Sequence, residues 1–392
     1  MPRKVYLIAV FLALWTSAGW PAPYTPKEDS AVLERLPTKA NDPLMGQLRQ
    51  LRAALAASPS DSKLAATLAA RYFELAMAEG DPRYVGYAEA ALRPWREPEA
   101  PTDVLFVRAL LRQYRHDFEG GLKDLAQTLR QDPKHAGARS WRAAILMVRA
   151  DYAGAARECA ELAKLSDAPE DDLRAVGCST YLDATTGKLR AAYGRLFDAL
   201  RRNADADAEM KLWTLTRLAE MAWRLEDHAM ADGLFNQALA IGLDDNFLLA
   251  AYADYLLERG RPKEVVGLLK SWARSDTLLL RLAMAEKALG MREAGPHVQA
   301  LADRFAAAAL RAERLHLGEE SRFLLDLKGD AQQALAVGLD NWKEQREPRD
   351  AAVVLEAALA ARDPKAAKPV LAWLRASGFE SEKMKRLAES LK

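Results

Sequence analysis

The sequence predicts an all-α protein, an α-solenoid of about nine antiparallel helical hairpins, and three observations carry that prediction. Arg115–Leu125 reads RHDFEGGLKDL and Arg149–Cys159 reads RADYAGAAREC, so an Arg, an Asp and an aromatic return after 34 residues. Isoleucine occurs only at Ile8, Ile145 and Ile241 in a chain that is 50% hydrophobic, whereas Ala and Leu recur throughout. That bias favours helix, because β-branched side chains lose more freedom on entering one. Gly and Pro gather at predicted turns rather than inside the periodic stretches. A unit of this length is one hairpin, which cannot bury its apolar face alone, so hairpins stack and each covers the next.

The first element is not part of the array. Arg3 and Lys4 precede an apolar run from Val5 to Trp15, followed by Thr16, Ser17, Ala18 and Gly19. This basic, apolar, small-residue order is that of a secretory signal peptide over residues 1–19, with cleavage expected after Ala18 or Gly19. The run is too short to span a bilayer comfortably, and no later segment is long and apolar enough to do so. The expectation is a mature protein off the membrane and outside the cytoplasm; the alternative is that the segment is kept as an uncleaved anchor. Residues 20–43, WPAPYTPKEDSAVLERLPTKANDP, hold five prolines and little periodicity, which reads as an extended leader. The solenoid then occupies residues 44–392.

Within it, Leu212–Asp245 and the following 34 residues from Asn246 share one frame. Leu215, Leu218, Ala219, Ala222, Ala231, Phe235 and Ala238 occupy the apolar positions of the first unit, with small residues where two helices should cross. Leu249, Tyr252, Ala253, Leu256, Val265, Leu269 and Trp272 occupy them in the second, with Gly260 at the turn. Hairpins are expected near 62–95, 101–132, 136–166, 169–204, 206–243, 246–273, 276–312, 315–345 and 348–378. Thr102–His135 and Ala136–Pro169 are less regular, since Arg108 and Arg142 fall on sites that should be apolar. Met291–Arg311 reads as one long helix. The closing ESEKMKRLAESLK puts Met384, Leu387 and Leu391 on one face, as a capping helix with a wet outer side requires.

These residues resemble the tetratricopeptide (TPR) repeats of exported bacterial proteins, from about Ser62 to the C-terminus. The resemblance implies a right-handed superhelix whose concave side is lined by the first helix of each hairpin. In the two regular units the implied groove residues are Trp213, Thr216, Glu220, Trp223 and Arg224, then Phe247, Ala250, Asp254, Leu257 and Glu258. Aromatic anchors beside carboxylates would suit an extended peptide or an amphipathic helix carrying a basic residue. The alternative is that Trp213 and Trp223 simply fill gaps between hairpins. The basic clamp by which chaperone-binding TPRs hold a terminal carboxylate is absent, because acidic groups occupy its places.

Cys159 and Cys178 are the only cysteines. In an exported chain an even number points to a disulfide, and both lie nine or ten residues from the turn expected at Ala168–Pro169, facing each other across antiparallel neighbours. The alternative is a pair of buried thiols.

Other chemistry is sparse. None of His116, His135, His228, His297 and His316 pairs at metal-ligand spacing, so no metal is expected. No phosphate loop, dinucleotide fingerprint or nucleophile elbow appears, so no catalytic residue and no cofactor is assigned. The GCST at Gly177 lies mid-helix without an evident base, and Glu319–Glu320 read as a solvated face. A net charge of +1 argues against nucleic acid, which needs a basic surface. The sequence therefore reads as a non-enzymatic periplasmic scaffold that binds a protein or extended peptide. The alternatives are a glycan-handling subunit of polysaccharide synthesis or export, with tryptophans stacked on sugar, and a helical glycan-cleaving enzyme using one of Glu320–Ser321, Glu380–Ser381 or Glu389–Ser390.

Overall fold

The structure is a computed structural model that describes residues 28, 30–31, 43–96, 99–168, 172–311 and 316–392. The expected signal peptide and all of the leader save Glu28, Ser30, Ala31 and Pro43 lie outside these residues. The chain divides into two compact units, Met1–Gln47 and Leu48–Lys392. In the first, the main described element is the opening turn of helix α1 (Pro43–Ala57). The second is all helix, with no strand among the described residues.

After α1 the helices among the described residues come in nine antiparallel pairs. They are α2 and α3 (Ser62–Glu79, Arg83–Ala91), α4 and α5 (Thr102–Tyr114, Phe118–Gln131), and α6 and α7 (Ala136–Val148, Tyr152–Ala163). Next come α8 and α9 (Leu173–Thr185, Leu189–Arg202), α10 and α11 (Ala208–Arg224, His228–Ala240), and α12 and α13 (Asn246–Glu258, Pro262–Leu269). The last are α14 and α15 (Asp276–Ala288, Ala294–Leu310), α16 (Leu317–Arg322, continued by a π-turn over Phe323–Lys328) with α17 (Ala331–Glu344), and α18 and α19 (Pro348–Ala360, Lys368–Ser377). Helix α20 (Glu382–Ser390) closes the array, burying Met384 and leaving Glu382, Lys385, Arg386 and Glu389 exposed. The long helix expected over Met291–Arg311 begins only at Ala294. Gly290 takes a positive φ, so α15 is the ordinary second helix of a hairpin.

The 34-residue echo has a backbone cause. Each of the nine hairpin turns has a left-handed residue at its centre: Gly80, His116, Ala150, Gly187, Glu226, Gly260, Gly290, Gly329 and Arg362. In the Arg115–Phe118 turn, the His116 N–H donates to the Gln113 carbonyl and the Asp117 N–H to the Arg112 carbonyl, a Schellman closure of α4. Asp117 then turns its carboxylate to the Gly120 N–H and caps α5. One residue thus ends the first helix and starts the second. Asp151, Asp227 and Asp330 cap α7, α11 and α17 in the same way.

Successive first helices pack on each other, as α2 does on α4, α10 on α12 and α12 on α14, and second helices fill the space before the next first helix, as α5 does before α6, α7 before α8 and α17 before α18. Crowding the first helices together makes theirs the concave side. The two sites that break the apolar pattern are resolved by substitution in pairs. The regular unit buries Leu218 and Leu234. At the equivalent positions Arg108 forms a two-pronged bond to Asp124 (2.8 and 2.7 Å), and Arg142 pairs with Glu158 at 3.2 Å.

Candidate functional site

The ten residues expected to line a groove all lie on the first helices α10 and α12, and the chain's own last repeats contact several of them. The Arg224 guanidinium lies 3.9 Å over the Phe379 ring and donates to the Glu380 carbonyl at 3.0 Å and to the Ala184 carbonyl at 2.5 Å. Its burial pulls the guanidinium down to about 10, against the pull of Glu220. Glu258 takes a hydrogen bond from the Trp223 indole (2.8 Å) and an ion pair from Lys383 of α20 (3.2 Å). Phe247 has Arg217 4.2 Å above its ring and Arg349 of α18 at 5.8 Å. Asp254 pairs with Arg281 at 2.6 Å and Glu220 with Arg217 at 2.8 Å. Thr216 and Ala250 are buried, Thr216 bonding back to the Leu212 carbonyl, and Leu257 packs on the core.

Both tryptophans fill gaps. Trp213 occupies the space that the missing Cβ of Gly177 leaves, since a Cβ there would stand 2.6 Å from its ring. Trp223 packs edge-on against Tyr255 at 5.6 Å. An open groove is thus not what the face presents. The last hairpins come back against the middle ones, and Lys383 joins the two by pairing with both Glu258 of α12 and Glu356 of α18.

The covering contact extends along earlier repeats. Arg149 pairs with Glu344, the Arg346 N–H donates to the Val148 carbonyl at 2.8 Å, and the Trp373 indole donates to the Tyr152 hydroxyl at 2.7 Å. Glu380 caps the start of α9 by accepting from the Leu189 N–H at 2.6 Å. At the start of α18, burial would raise the Glu347 carboxyl, but Arg349, Gln345 and Arg217 bring it down to about 2. Its neighbour Asp350 goes the other way: burial and the Glu347 charge hold it well above the usual carboxylate range. Glu319 is not on the solvated face expected for it. Burial there would raise its carboxyl, yet His316, Arg349 and Arg281 hold it below its ordinary value.

Three solved structures are similar to this chain to different degrees. A crystal structure of the APC/C hetero-tetramer Cut9–Hcn1 is 14% identical at a TM-score of 0.51, covering 85% of this chain and 63% of that one. The yeast Tom70 crystal structure is 11% identical with a TM-score of 0.34, covering 89% of this chain and 91% of that chain. The P58(IPK) TPR domain is 12% identical with a TM-score of 0.21, covering 89% and 92%. The fold is that of a TPR array. The chain spans less than two thirds of the Cut9–Hcn1 chain it matches, and identities this low speak to fold alone. No protein-family model matches the sequence, and no curated protein is significantly similar to it.

In this TPR array Cys159 of α7 and Cys178 of α8 are joined by a disulfide, their Cα atoms 5.5 Å apart. The bridge pins a second helix to the next first helix, so the GCST segment holds no free thiol. Among the described residues no three His, Cys, Asp or Glu side chains gather as a metal site. His135 caps α6 through Nδ1, and His297 bonds Glu286 at 2.7 Å. No helix of the described residues is long and apolar enough to cross a membrane. The feature that sequence reasoning missed is a cavity of about 90 Å³ where α6, α8 and α10 meet the start of α18. Arg217, one position along from the expected groove site Thr216, was the signal the sequence offered for it.

Proposed function

We propose that the chain is a non-enzymatic, exported scaffold that holds a protein partner in the periplasm. The observation that supports this reading most is how the charged groups of the concave face are spent. Glu220, Asp254, Glu258, Arg281, Arg322, Glu356 and Lys383 each have an ionic partner within the chain. Those groups serve assembly, and a catalyst would need some of them left free for substrate. The Cys159–Cys178 bridge favours an oxidising compartment, in keeping with the signal-like N-terminus. With the concave face covered, the surface left for a partner is the outer one. Tyr87, Leu165, Met230, Leu243 and Leu310, all exposed, lie there on second helices or just past them. The glycan reading gains nothing from Trp213 and Trp223, whose faces are already occupied.

Proximity labelling in living cells tests this, with the full-length protein carrying a labelling enzyme at its C-terminus. The expected result is one reproducible set of exported proteins, reduced when Tyr87 and Met230 are changed to Glu. Labelling confined to cytoplasmic proteins would overturn the location. Turnover of peptidoglycan or polysaccharide by the purified protein, lost on one Glu→Gln change, would overturn the scaffold reading.

A further inference from the structure

The cavity between the middle repeats and α18 is donor-rich. Arg346 lines it, and its only side-chain hydrogen bond is from Nε to the Trp342 carbonyl, with no carboxylate in salt-bridge range among the described residues. Arg217 lines it too, held between the rings of Tyr181 and Phe247 at 4.6 and 4.2 Å. Glu220 takes one of its nitrogens, and its buried Nε has no partner. The Tyr181 hydroxyl makes no hydrogen bond among the described residues. The Tyr152 hydroxyl accepts from Trp373 and so keeps its own proton to give. The one acid on the wall, Glu347, is already saturated: it accepts from Gln345 at 2.8 Å, from Arg349 at 2.9 Å and from the backbone of α18. The remaining wall is apolar but for Thr185, whose hydroxyl is spent on the Tyr181 carbonyl, and includes Met147 and Val148.

We propose that this cavity binds a small organic carboxylate. Two guanidinium groups and two phenolic O–H groups line it with donors to spare beyond the Glu220 carboxylate and the Trp342 carbonyl that Arg217 and Arg346 already use, and charge-assisted bonds to a carboxylate are the strong way to satisfy them. The volume of about 90 Å³ holds about six to nine water-sized groups, which is a carboxylate with a short aliphatic tail. The head meets Arg346 and the tyrosine hydroxyls, and the tail lies on Met147 and Val148. Because Arg346 comes from the covering repeats and the tyrosines from the covered ones, the ligand bridges them and tightens their contact. The site is independent of the scaffold reading and of any protein partner.

The test is calorimetric titration and thermal melting of the full-length, disulfide-intact protein with acetate, butyrate and hexanoate. Butanol, butyramide and inorganic phosphate serve as controls. Saturable one-to-one binding, best for butyrate or hexanoate and accompanied by a rise in melting temperature, is the expected result. Removing one charged donor should weaken binding by at least about tenfold, so Arg346→Met and, separately, Tyr181→Phe should each reduce it. Arg346 is exposed, and the melting curve of the ligand-free variant reports its folding. Absence of saturable binding would overturn the proposal, and so would equal binding of butanol. Phosphate binding tighter than every carboxylate would overturn the ligand class, and affinity unchanged in both variants would overturn the location.

Discussion

At the residue scale, the molecule depends on single positions that set backbone geometry and charge pairing. Four of the nine hairpin turns place a residue other than glycine in the left-handed region: His116, Ala150, Glu226 and Arg362. Each such residue costs about 1–2 kcal/mol relative to glycine, partly offset by the larger freedom glycine has when unfolded. Ala150→Gly is therefore expected to stabilise by up to about 1 kcal/mol, seen as a higher denaturant midpoint, while Gly260→Ala should lower it. The Arg108–Asp124 pair makes a second prediction. Both side chains are nearly buried, so Asp124→Ala alone takes the carboxylate from the Arg108 guanidinium and should cost about 3–5 kcal/mol. Replacing both Arg108 and Asp124 by Leu, the pair that Leu218 and Leu234 already form in α10 and α11, should restore much of that loss. A double change no better than Asp124→Ala would show that the pair does more than fill an apolar slot.

At the element scale, the hairpin is the unit, and its joints explain how much of the architecture could be read in advance. The helix-ending residue, the left-handed centre and the capping Asp are consecutive, so RHDF and RADY announce two turns outright. The seven apolar positions of Leu212–Asp245 are all core or near it. Arg108 and Arg142 were legible as anomalies, and their answers, Asp124 and Glu158, stand 16 residues on in each unit. The seam between hairpins was harder to read, because nothing periodic marks it. There the Cys159–Cys178 bridge closes a 19-residue separation between α7 and α8. On the chain-entropy model it contributes about 3 kcal/mol. Reduction, or Cys159→Ser with Cys178→Ser, should lower the melting temperature without altering helix content. A melting curve indifferent to reductant would mean that the thiols do not pair in solution.

At the scale of the whole array, the governing fact is that its concave side is occupied by its own last repeats. This could not be read from the sequence. Tyr152 and Trp373 are 221 residues apart, Arg149 and Glu344 are 195 apart, and no repeat pattern links them. The positions that line the face were legible, since they follow from one helix per hairpin. What covers them depends on how far curvature carries nine hairpins round, which accumulates from small rotations at each seam. The same closure creates the cavity beside Tyr181 and Arg217.

The most direct measurement is chemical cross-linking of a variant carrying Glu258→Cys and Lys383→Cys, the ends of one ion pair between α12 and α20. With the native cysteines held in their disulfide, a short bifunctional maleimide should join the two new thiols within one chain, quickly and at any protein concentration. No intramolecular link, with both thiols freely alkylated in the folded protein, would contradict the covered face.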